Sequence, residues 1–126
     1  MQKVIENLVS TLDKSGAEDF VVEKVLSGIC DNTLYWMNLK NLNAADNTTS
    51  VSEALESGND LEAKKQMEWC QANEAQAQSF ADIHEATKEI FQARFSKSWK
   101  KASRNVVTKK EKTDIEAWLK SRAKAS

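Results

Sequence analysis

The sequence predicts an all-α fold, and three observations carry that expectation. Proline is absent from the 126 residues, glycine occurs only at Gly16, Gly28 and Gly58, and apolar residues recur at steps of three and four. Proline and glycine are the strongest local breakers, so few positions here compel a helix to stop. The expected architecture is a single helical domain over 1–126, a bundle of about four or five helices dominated by one long amphipathic helix spanning about 60–104.

Val4, Ile5, Leu8, Val9 and Leu12 lie at helical spacing, which predicts a short amphipathic helix from Gln2 to Lys14 ended by Ser15-Gly16. Ser15 and Glu18 have capping-box spacing for a second helix, whose face is traced by Phe20, Val21, Val25, Leu26 and Ile29. Gly28 is expected to be tolerated inside it, because Leu34, Trp36 or Met37, and Leu42 keep the spacing through Ala45. Asp46 to Ser50 is a run of short polar residues whose side chains compete for helical backbone hydrogen bonds, and a loop is expected there. Ser50 and Glu53 then cap a helix of about two turns carrying Val51, Ala54 and Leu55, closed by Ser57-Gly58.

Asn59 and Glu62 repeat the cap signature, and from Asp60 no breaker appears until past Arg104. That predicts a helix of about 45 residues, roughly 65 Å long. Its apolar stripe runs through Trp69, Ala72, Ala77, Phe80, Ile83, Thr87, Phe91, Phe95, Ser98 and Ala102. The steps are uneven, which favours a bundle over a strict heptad coiled coil. Thr113 with Glu116 forms a last capping box, and Ile115, Trp118 and Leu119 mark a short helix ending near Arg122.

Hydrophobic residues make up 40% and charged residues 29% of the chain, and no apolar run approaches the roughly 18 residues a membrane span requires. No apolar segment follows a basic start in Met1 to Val9, so a cytoplasmic location is expected. Cys30 and Cys70 form no CxxC unit, and His84 has no second histidine or cysteine beside it, so neither a metal nor a cofactor site is expected. Each cysteine is read as a small buried apolar residue, and His84 as a half-exposed histidine sharing a helix side with Lys88. The carboxylates Glu62, Glu68, Glu74, Asp82, Glu85 and Glu89 lack the Glu-x-x-His pairs of a di-iron bundle. With glycine too scarce for phosphate loops or nucleophile elbows, no catalytic residues are expected.

Charge is polarised along the chain. Residues 1–52 hold four basic and seven acidic side chains, 53–89 three and nine, and 90–126 eleven and three. The basic segment from about residue 94 places Arg94, Lys97, Lys100, Lys101 and Arg104 in a candidate positive band around Trp99, extended by Lys109, Lys110 and Lys112. Such a band is either a solvated end complementing the helix dipole or a site for nucleic acid or another anionic surface.

The stretch Ser52-Glu53-Ala54-Leu55-Glu56-Ser57-Gly58-Asn59-Asp60-Leu61-Glu62, with Lys65-Gln66-Met67-Glu68-Trp69 and the Gln- and Ala-rich Gln71 to Phe80, resembles bacterial phasins over about residues 52–96. Phasins coat polyhydroxyalkanoate storage granules. The end Lys120 to Ser126 is similar to a shortened phasin tail. The resemblance implies a non-enzymatic, oligomer-forming helical protein whose apolar side meets a hydrophobic polymer surface. Trp69, Phe80, Ile83, Phe91 and Phe95 are the residues expected to make that contact, or to form the seam if the stripe is covered by another copy of the chain. Two other readings stand beside it: a helical protein-interaction module such as an adaptor or regulatory subunit, and a nucleic-acid-associated protein using the basic C-terminal third.

Overall fold

The computed structural model describes residues 2–101 and 109–125, and these form four helices: α1 (Gln2–Lys14), α2 (Asp19–Glu56), α3 (Asp60–Phe95) and α4 (Lys109–Ala125). No strand occurs among the described residues, so the protein is an all-α helical bundle. Two of its turns share one construction. At the end of α1, Gly16 N–H donates to Asp13 O at 3.1 Å and Ala17 N–H to Leu12 O at 3.0 Å, with Gly16 at φ 82°. At the end of α2, Gly58 N–H donates to Leu55 O at 3.1 Å and Asn59 N–H to Ala54 O at 2.8 Å, with Gly58 at φ 75°. Both are Schellman closures, which need a left-handed residue that glycine supplies at least cost. Asn59 then caps α3 by accepting from Glu62 N–H at 3.2 Å.

Three residues join α2 to α3, so the two long helices fold back as an antiparallel hairpin. Their pairing is continuous: Thr33 meets His84, Trp36 meets Phe80, Ala44 and Thr48 meet Cys70, and Asn47 meets Gln66 and Asn73. Four of the six buried residues of α3, Ala63, Ala77, His84 and Phe91, are separated by multiples of seven, as are Cys30 and Ala44, and Thr33 and Ala54, of α2. Within the bundle these two helices therefore meet along a heptad seam. Apolar periodicity does not reveal it, because the seam is built largely of Ala, Thr, Asn, Cys and His.

α2 runs unbroken through Asp46–Ser50, where a loop was expected. Tertiary bonds explain the difference. Asn47 Nδ2 donates to Gln66 Oε1 at 2.9 Å, Asn73 Nδ2 donates to Asn47 Oδ1 at 2.8 Å, and Thr48 Oγ1 donates to its own helix at Ala44 O at 3.0 Å. Side chains that favour loops in isolation here bond across the seam or along the helix. Ser50 and Glu53 consequently lie inside α2 rather than at a helix start. Ser15 likewise caps nothing ahead of it; its hydroxyl donates to Leu12 O at 2.7 Å, and Glu18 occupies the N-cap of α2 without a side-chain bond.

The molecule has two long helices rather than one, and α3 stops at Phe95 instead of continuing past Arg104. Ser96 takes the left-handed conformation at φ 55° and turns the chain back. The reversal carries Lys97 Nζ to 2.7 Å from Glu23 Oε1 and brings the Trp99 ring edge-on to His84, 5.3 Å between centroids. Burying Trp99 outweighs the local helix preference that a sequence pattern reports. Ala102 and Arg104 lie outside the described residues.

An apolar core sits at the open end of the hairpin. Ile5 and Val9 of α1, Val22 and Leu26 of α2, and Phe91 of α3 form it, flanked by Leu12, Ala17, Ile29, Ile83, Ile90, Phe95 and Trp99. Val22 and Leu26 are wholly buried, each contributing about 1.5–3 kcal/mol by removal from water. α4 begins at Lys109, ahead of the expected Thr113, whose hydroxyl donates back to Lys109 O at 3.0 Å. Every α4 residue from 109 to 123 is exposed.

Candidate interaction surface

The five residues expected to face a polymer or a second chain do not form one open surface. Phe91 is 3% exposed in the core. Ile83 and Phe95 pack against it, with the Phe95 ring 5.1 Å from that of Phe91. Phe80 is half-buried and stacks on Trp36 at 6.4 Å. Only Trp69 remains exposed, with the Lys65 ammonium 5.6 Å over its ring. The C-terminal half of the stripe is covered by the chain's own α1, α2 and Trp99.

The basic band is also partly consumed within the fold. Arg94 forks onto Asp13 through two bonds of 2.9 and 2.7 Å and reaches Asp19 at 3.0 Å, tying α3 to α1 and to the start of α2. These bonds, led by those to Asp13, raise the guanidinium pKa above its ordinary value against the opposing effect of burial. Lys97 pairs with Glu23, while Lys100 and Lys101 are exposed.

His84 is buried rather than half-exposed, because it faces α2 across the seam. Its Nδ1 lies 3.0 Å from Cys30 O and 3.1 Å from Thr33 Oγ1. A carbonyl only accepts, so Nδ1 carries a proton and the ring acts as a cross-brace between the helices. The Thr33 hydroxyl itself donates to Ile29 O at 2.7 Å. Burial, the dominant influence, pushes the Cys30 thiol up to about 11, leaving it a poor nucleophile near neutral pH. Cys70 Sγ sits 3.4 Å from Ala44 O and 3.3 Å from Glu74 Oε1, and both cysteines are free thiols. Among the described residues no group of three or more His, Cys, Asp or Glu side chains is placed to hold a metal ion, and no helix is long and apolar enough to cross a membrane.

The surface that does stand open is on α2, facing away from α3. Asp31, Leu34, Tyr35, Asn38, Leu39 and Leu42 line a groove there, joined by Lys101 from the returning chain. Positions 31, 35, 38 and 42 recur at helical spacing, so they share one face. Tyr35 is 61% and Leu42 64% exposed. α4 presents a second exposed stripe, Ile115, Trp118 and Leu119, exposed by 55%, 57% and 60%. The sequence reading assigns Leu34 and Leu42 to a single face of α2 and so misses that this helix carries two apolar stripes. The signal for it is that Tyr35, Leu39 and Leu42 lie away from the seam marked by Cys30, Thr33 and Ala44, while half-buried Leu34, four residues after Cys30, sits between the two faces. No protein-family model, curated protein or solved structure matches the chain, so this geometry is the basis for the functional reading.

Proposed function

We propose that the protein is a non-enzymatic helical interaction module that works by presenting apolar helix faces to a protein partner. One observation carries this reading: among the described residues, large apolar side chains stand exposed on the outward face of α2, at Tyr35 and Leu42, and on one side of α4, at Ile115, Trp118 and Leu119. The phasin-like coat resembled in the sequence is the second reading. It is favoured by the exposure of Trp69, Leu61 and Met67 on the far part of α3, and weakened by the burial of Phe91 and Phe95. Nucleic-acid binding is less favoured, because Arg94 and Lys97 already hold carboxylates.

Incubating the purified chain separately with polyhydroxybutyrate particles and with DNA, at low and high salt, separates the three. The module reading expects retention on neither, together with a surface that binds an apolar fluorescent dye and loses it in a Tyr35→Ser, Leu42→Gln, Trp118→Gln variant. Adsorption to the polymer that persists at high salt supports the coat instead. Retention on DNA that falls steeply with salt supports the basic end.

A further inference from the structure

We infer that the groove on the outward face of α2 receives α4 from a second copy of this chain, two such exchanges about a two-fold axis making a dimer. The inference rests on the interaction-module reading and names its partner. α4 is a 17-residue helix, and its described side chains are exposed throughout. An isolated helix of that length is marginal in water and needs an apolar contact to persist. Ile115, Trp118 and Leu119 at i, i+3 and i+4 supply one narrow stripe, with the Arg122 guanidinium 4.8 Å over the Trp118 ring extending it by a turn. From Ile115 to Arg122 that stripe is about 10 Å long, and the groove from Asp31 to Leu42 is about 17 Å long, so the first fits within the second.

Charge points the same way. Asp19 and Glu23 of α2 already hold Arg94 and Lys97, and Lys101 lines the groove, but exposed Asp46, Glu53 and Glu56 continue the outward face of α2 at helical spacing beyond Leu42, whereas α4 carries six cations against three carboxylates. The pair is complementary, while α2 against α2 or α4 against α4 would repel. Exchange in both directions buries both α4 stripes and both grooves, each once, in one isologous assembly, which a single chain with an exposed α4 does not achieve.

The test measures the mass of the full chain by light scattering across a concentration series for the wild type, Leu42→Glu and Leu119→Glu. Both positions are exposed, so circular dichroism should show the helices α1 to α3 retained in each variant, any loss of helix content not exceeding the 17 residues of α4. A two-chain mass for the wild type and a single-chain mass for each variant are expected. An equimolar mixture of the two variants should restore a weaker two-chain species, since one intact α4 then meets one intact groove. A wild type of single-chain mass, a dimer that survives both substitutions, or a mixture that stays single-chain would each overturn the exchange. A surviving dimer relocates the contact and leaves the module reading intact, whereas DNA or polymer retention removes that reading itself.

Discussion

Gly28 and Gly58 show how backbone angle, rather than space, decides the effect of a side chain. A Cβ added at either meets nothing within 4 Å. Gly28 lies inside α2, so Gly28→Ala should stabilise the fold by about 0.5–1 kcal/mol. Gly58 sits at φ +75°, so Gly58→Ala should destabilise it by about 1 kcal/mol or more. Opposite shifts of the urea midpoint at constant slope check the pair. The cysteines differ as sharply. Iodoacetamide should label half-buried Cys70 in the native protein and reach Cys30 only as fast as the fold opens, which peptide mass mapping resolves. Because the native Cys30 thiol holds its proton up to about 11 against an ordinary value of 9.0, its contribution to stability is full below pH 9 and is lost as pH rises through about 11. A Cys30→Ala variant should lack that component of alkaline destabilisation in denaturant titrations. At this scale the glycine closures and the Asn59 cap are legible in the sequence, since local chemistry decides them. His84 is not, because its burial is set by Cys30 and Thr33, more than fifty residues away.

Among the elements, α2 and α3 are held in register by an amide chain: Asn73 donates to Asn47, Asn47 to Gln66, and Gln66 Nε2 to Glu62 Oε1 at 2.9 Å. A half-broken polar network costs more than a missing one, since its remaining members lose their partners. Asn47→Ala should therefore lower stability by about 1–3 kcal/mol, and a double-mutant cycle with Asn73→Ala should show coupling. The same residue explains why a loop was expected at Asp46–Ser50. Propensity describes a side chain with no tertiary partner, and Asn47 has two. The end of α3 is illegible for a related reason: the turn at Ser96 is decided by where Trp99 lands, not by a breaker in the sequence.

For the whole molecule, the all-α class was legible because breaker scarcity and apolar spacing are summed over the entire chain. The site was less so. Periodicity locates Phe91 and Phe95 on an apolar face but does not say whether the chain itself covers that face, and here it does. Packing is also uneven along the hairpin. The open end holds Val22, Leu26 and Phe91, whereas the buried apolar residues from Ala44 to Ala77 are all alanines. Native-state hydrogen exchange should show the strongest protection over residues 22–33 and 84–91, declining towards the Ser57–Asn59 turn. Uniform protection from end to end would contradict this. A seam lined with alanine and amides also exposes little oily surface when it opens. The heat capacity of unfolding should consequently fall below about 12–15 cal/mol/K per residue, flattening the stability curve so that warming erodes the fold gradually.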